Sequence, residues 1–150
     1  MKPLVIIANT PSANTLQLRT AVAIGAASAD LEPIVLTPFE AQPEHILQAG
    51  ALILGTTENF GYMSGAVKDF FERIYYPCLE QTQGLPIALY VKAGNDGTGA
   101  LSSMERIILG LRWRQVQAPL IMKGEVKPEF FEACSELGAG MAEGLKLGIF

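Results

Sequence analysis

Four side chains able to grip an anion fall within six residues, Thr10-Pro11-Ser12-Ala13-Asn14-Thr15. The segment follows the apolar run Leu4 to Ala8 and precedes a helical pattern, so it reads as a strand-to-helix turn. Such a turn aims hydroxyl, amide and backbone N–H groups at one point, where the following helix presents its positive end. That combination binds a phosphate dianion. Ser12, Asn14 and Thr15 would equally serve as helix caps, although a cap needs only one polar residue.

A second segment, Gly55-Thr56-Thr57-Glu58-Asn59-Phe60-Gly61-Tyr62-Met63-Ser64-Gly65, is long for a connector and rich in glycine and aromatics. A flat heteroaromatic ring needs apolar surface on its face and backbone N–H and C=O groups at its polar edge. Asn59, Phe60 and Gly61 offer both, and Gly61 lets the backbone approach closely. The competing reading is a hydrophobic loop packed on its own helix. A third segment, Lys92-Ala93-Gly94-Asn95-Asp96-Gly97-Thr98-Gly99, is glycine-rich and also opens a helix. It either presents backbone N–H groups to a ligand or is a plain surface turn.

The spacing Thr-x-Ser-Ala-Asn-Thr resembles the mononucleotide phosphate loop of flavodoxin-like proteins, whose usual ligand is FMN. The string Gly-Thr-x-x-x-Phe-Gly-x-Met-Ser-Gly, followed by Lys68 and Phe70, looks like the flavin loop of NAD(P)H-dependent FMN and quinone reductases. The pattern is similar to that of the tryptophan-repressor-binding-protein type, and the resemblance runs over essentially the whole chain. It implies FMN held by Thr10, Pro11, Ser12, Ala13, Asn14 and Thr15 at the phosphate. Thr57, Glu58, Asn59, Phe60, Gly61, Tyr62 and Met63 would edge the ring, with Ala93, Gly94, Asn95, Gly97 and Gly99 at its pyrimidine side. It implies hydride arriving from NAD(P)H as co-substrate and electrons leaving to a quinone or similar small-molecule acceptor. The alternative is a flavodoxin-type one-electron carrier between protein partners. The aromatic-free third loop and the mild acidity favour the reductase. No side chain must act as a general acid or base, because a flavin carries this chemistry itself. A homodimer is the oligomer the resemblance allows.

Five apolar runs must position these loops: Leu4 to Ala8, Pro33 to Thr37, Ala51 to Gly55, Ile87 to Val91 and Leu120 to Lys123. Continuous aliphatic runs suit a parallel sheet buried on both faces. Helical stripes separate them. The first is Leu18, Val22, Gly25, Ala26 and Ala29, with Asn14 and Gln17 placed like a capping box. The next is Val67, Phe70, Phe71, Ile74 and Tyr75, opened by Ser64 as N-cap. Met104, Ile107, Ile108 and Leu111 follow, then Phe130, Cys134, Leu137, Gly138, Met141 and Leu145. Pro43 to Ala49 is the weakest helical segment. The alternation predicts one α/β domain over residues 1–150, a doubly wound, flavodoxin-like three-layer α/β/α sandwich. Its five parallel strands take the order 2-1-3-4-5. Ligands in such sheets sit beyond the carboxyl ends of the strands where the winding reverses, which is where the three loops fall.

Composition excludes other classes. With 11 basic and 15 acidic residues the net charge is −4, which argues against nucleic-acid binding. No apolar run reaches the ~20 residues of a membrane span, and with the first strand beginning at Leu4 no signal peptide is expected. A cytoplasmic protein is expected. There is no Gly-x-Gly-x-x-Gly after the first strand and no Gly-Lys-Ser/Thr, so a dinucleotide fold or P-loop is not expected. Cys78 and Cys134 read as inert core thiols. His45 reads as an exposed bystander, and Arg106, Arg112 and Arg114 as a solvated face. No metal-ligand spacing occurs.

Overall fold

The computed structural model describes residues 1–150. Strands and helices alternate as β1 (Leu4–Ala8), α1 (Ala13–Ser28), β2 (Ile34–Leu36), α2 (Pro43–Leu47), β3 (Ala51–Asn59), β4 (Tyr62–Met63), α3 (Gly65–Cys78), β5 (Pro86–Ala93), α4 (Thr98–Leu111), β6 (Arg114–Gln115), β7 (Leu120–Lys123) and α5 (Pro128–Leu147). The parallel sheet runs β2-β1-β3-β5, and β6 and β7 both pair with β5 in the outermost position. The 2-1-3-4-5 order therefore holds, with its fifth strand split in two. Pro119 lies at the break, where it has no N–H to give the ladder. No helix is long and apolar enough to cross a membrane.

Both faces of the sheet are covered, because alternate residues of each apolar run point to opposite sides. Val5, Ile7, Leu52, Leu54, Ile87 and Leu89 join Val67, Phe70, Phe71, Ile74, Met104 and Ile108 under α3 and α4. Leu4, Ile6, Ala8, Ile53, Ala88 and Tyr90 join Leu18, Val22, Leu137 and Met141 under α1 and α5. Each such fully buried Leu, Ile or Phe contributes about 1.5–3 kcal/mol relative to exposure. Gly25 and Gly138 let α1 and α5 approach closely: a Cβ on either would collide with the other helix's carbonyl, at Ser135 or Val22.

Several sequence expectations are corrected. The box at the start of α1 is built by Ser12 and Thr15, not Asn14 and Gln17: each side chain receives the other's backbone N–H, at 3.2 and 3.0 Å. Position, rather than residue type, decides this, since Ser12 alone precedes the first helical residue in extended backbone. β2 is a short edge strand whose Ile34 and Val35 are exposed. α2 stops at Leu47. His45 is half-buried and accepts the Gln42 N–H at 2.9 Å through Nδ1, so it caps its own helix instead of idling. The Ser64 cap is as expected, with Oγ accepting the Val67 N–H at 3.2 Å.

Candidate functional site

The carboxyl edge of the sheet carries a cavity of about 250 Å³ lined by Pro11, Ser12, Asn14, Thr15, Thr57, Lys92, Ala93, Gly94, Gly124, Glu125 and Val126. It draws on the ends of β1, β3, β5 and β7. Asn9 and Thr57 lock the first two ends together. The Asn9 Oδ1 accepts the Thr57 N–H at 3.1 Å, and its Nδ2 donates to Thr57 Oγ1 at 3.0 Å.

The turn from Thr10 to Thr15 sits over the start of α1 as expected, but its donors are divided. The hydroxyls of Ser12 and Thr15 lie 3.0 Å apart within the capping box. The N–H groups of Ala13 and Asn14, in the first turn of α1, and the side chains of Thr10 and Asn14 take no partner in the chain. A phosphate monoester fits this donor set: orphan N–H groups at a helix N-terminus, two polar side chains, and a partial positive charge from the helix.

The second segment is not a loop but a hairpin. β3 runs on to Asn59 and pairs with β4 through Glu58↔Met63 and Asn59↔Tyr62. Phe60 and Gly61 form its two-residue tip, both left-handed at φ 55° and 69°. These values match a type I′ turn, whose twist suits the flanking strands. Phe60 is fully exposed. Its base is fixed by Thr56, whose buried hydroxyl accepts the Ser64 N–H at 2.9 Å. Met63 is only 2% exposed and belongs to the core, leaving its backbone alone at the hairpin, where its N–H donates to Ser103 Oγ at 3.1 Å.

The hairpin and the loop after β5 are tied together. The Glu58 carboxylate accepts the N–H groups of Gly97 at 2.9 Å and Ala100 at 3.0 Å. Gly99 lies against Gly61, where a Cβ would collide with the carbonyl oxygen. Of the backbone donors expected for a ligand, Gly97 is therefore already engaged. Gly94, Asn95 and Asp96 have N–H groups with no acceptor in the chain. Ala93 is buried, and its carbonyl receives the Gly124 N–H at 2.9 Å.

The candidate residues thus divide. Pro11, Ser12, Asn14, Thr15, Thr57, Ala93 and Gly94 share one cavity. Gly61, Tyr62 and Gly99 line another, of about 380 Å³, on the outer flank of the hairpin with Lys68, Ser103 and Arg106. Thr10, Ala13, Glu58, Asn59, Phe60, Met63, Asn95 and Gly97 line neither. Sequence reasoning missed Asn9, Lys92 and the turn Gly124 to Val126. The rule that placed the other loops, at the carboxyl ends of neighbouring strands, also covers the turn after β7.

Below Lys92, on the same face, the Tyr90 ring lies over Gly55, where a Cβ would overlap it. Its hydroxyl is buried with no hydrogen-bond partner, and burial pushes the phenol above its ordinary range. The two thiols are buried too, and desolvation raises Cys78 to about 11 and Cys134 to about 12. Neither has the accessible, electropositive setting of a nucleophile.

No protein-family model matches the chain, and neither does any curated protein. Solved structures do. A flavodoxin from the domain Archaea superposes with a TM-score of 0.84 at 17% identity, over 96% of this chain and 99% of its own. A WrbA-like flavodoxin from Agrobacterium tumefaciens gives 0.80 at 17% identity, over 98% and 99%. Rubredoxin:oxygen oxidoreductase from Desulfovibrio gigas gives 0.80 at 14% identity, over 99% of this chain but 38% of that one. With this sheet order and these matches, the chain has the flavodoxin-like α/β fold.

Proposed function

We propose that residues 1–150 form one FMN-binding domain, and that the protein is an oxidoreductase taking hydride from NAD(P)H for a quinone or similar small acceptor. The observation that carries the reading is the cavity joining the α1 turn, Thr57 and Gly94 at the carboxyl edge of the sheet. When bound there, FMN would supply the hydride and electron chemistry. The chain's part is to hold it. Asn14, which lines the cavity, takes the phosphate through its N–H and side chain, with the Ala13 N–H and the Thr10 side chain of the same turn beside it. The unpaired N–H groups of Gly94 and Asn95 suit a ring edge that gains negative charge on reduction. Phe60 offers apolar surface at the hairpin tip. The loop from Ala93 to Gly97 contains no aromatic side chain, which leaves that side accessible to a nicotinamide.

The one-electron carrier is the second reading. Its support is the likeness to an archaeal flavodoxin along nearly the full length of both chains. The visible spectrum of the purified protein, followed by anaerobic mixing with NADPH or NADH, separates the two. Flavin bands that bleach with nucleotide alone, saturating with its concentration, support the reductase. Bands that bleach with dithionite but not with either nucleotide move the assignment to the carrier. A protein that binds no FMN removes both.

A further inference from the structure

We propose that Lys92 is the charged partner of the phosphate in this site. The inference rests on the FMN reading above and names a contact the phosphate turn does not itself provide. Lys92 is the penultimate residue of β5, opposite Thr57 on β3 and Met122 on β7. Tyr90 faces α1 and α5, so the alternation of the strand brings Lys92 to that same face, at the mouth of the cavity with Ser12 and Thr15.

Lys92 is the only cation among the residues lining that cavity. It is half-buried and makes no ion pair within the chain, whose two salt bridges are Lys68–Glu72 and Arg73–Asp69. Its Nζ donates to the Ala93 carbonyl at 3.1 Å. An ammonium has three donors, so two remain for a ligand. The single acid of the cavity, Glu125, lies on the exposed turn after β7 and is not paired with it. An ammonium with donors to spare and no carboxylate beside it can take an anion through charge-assisted hydrogen bonds. The α1 N-terminus offers only about half a unit charge, whereas a phosphate monoester is a dianion. Lys92 supplies the missing charge within the same cavity.

The test uses apoprotein and two probes that differ only by the phosphate, FMN and riboflavin, titrated by calorimetry. Lys92→Met should weaken FMN roughly 10- to 100-fold and leave riboflavin unchanged. Lys92→Arg should restore most of the loss. FMN affinity of the native protein should fall as salt rises from about 50 to about 500 mM, and the Met variant should lose that dependence. Lys92→Gln, which keeps a polar end at the strand terminus, repeats the comparison if the Met variant does not fold. Equal losses for both ligands, or none, overturn the role of Lys92 while leaving the FMN site intact. Native protein that binds neither ligand overturns the FMN reading itself.

Discussion

Glu58, near the end of β3, caps a helix from 39 residues away: its Oε1 accepts the Gly97 N–H at 2.9 Å. Its other oxygen takes the Ala100 N–H at 3.0 Å. α4 needs this help, because Gly97 stands at its N-cap in left-handed backbone with no side chain to offer. The carboxylate both satisfies two orphan donors and sits at the positive end of the helix. The same contact ties the hairpin to the loop after β5, so these two segments beside the proposed flavin site are joined by hydrogen bonds.

Glu58→Ala should therefore lower the unfolding free energy by about 1.5–3 kcal/mol, the range for a hydrogen bond to a charged group. Glu58→Gln, which keeps one acceptor oxygen, should recover part of it. Urea denaturation measures both. An Ala variant as stable as the native protein would show that the cap carries no weight.

The sequence made the five main strands, their order and the first and third loops legible, because those follow from local pattern. Leu4 to Ala8 and Leu120 to Lys123 are found to the residue, since apolar runs bounded by polar turns leave little choice. What was not legible is long-range. Nothing local to Glu58 announces that it serves Gly97, and nothing local to Gly99 announces contact with Gly61. Gly55 to Gly65 read as a loop because its period is obscured: a hairpin of two short arms around Phe60-Gly61 lacks the Asn-Gly signal that type I′ turns favour. Lys92 sat inside a recognised segment, yet only the strand register shows which face it takes.

Alkaline stability should be set in part by the buried thiols. Burial raises Cys78 to about 11 and Cys134 to about 12 from an ordinary value of 9.0, and Tyr90 is raised as well. The unfolded chain ionises at ordinary values while the folded chain keeps these groups neutral. Their contribution is thus complete below about pH 9 and is lost as pH rises toward the folded values. Urea midpoints followed from about pH 8 to about pH 10.5 should fall, and should fall less steeply in the Cys78→Ala/Cys134→Ala double variant. Parallel curves for the two proteins would mean the thiols ionise alike in both states.

Phe60 is a residue that neither the fold nor the turn requires. It occupies left-handed backbone at φ 55°, a conformation that costs a residue with a Cβ about 1 kcal/mol or more, and its ring is wholly in solvent. Asparagine tolerates that backbone and with Gly61 would complete the favoured Asn-Gly turn. Phe60→Asn should therefore raise the stability of the protein by up to about 1 kcal/mol. Strain kept in a folded chain points to use elsewhere, and the proposed use is apolar contact with the flavin ring. Because FMN and riboflavin share that ring, the variant should weaken both by the same factor, unlike Lys92→Met, which acts on the phosphate alone. Calorimetry with both ligands and a denaturation curve read the two effects separately. A more stable variant that binds both ligands as before would remove Phe60 from the site and leave its strain without a purpose in flavin binding.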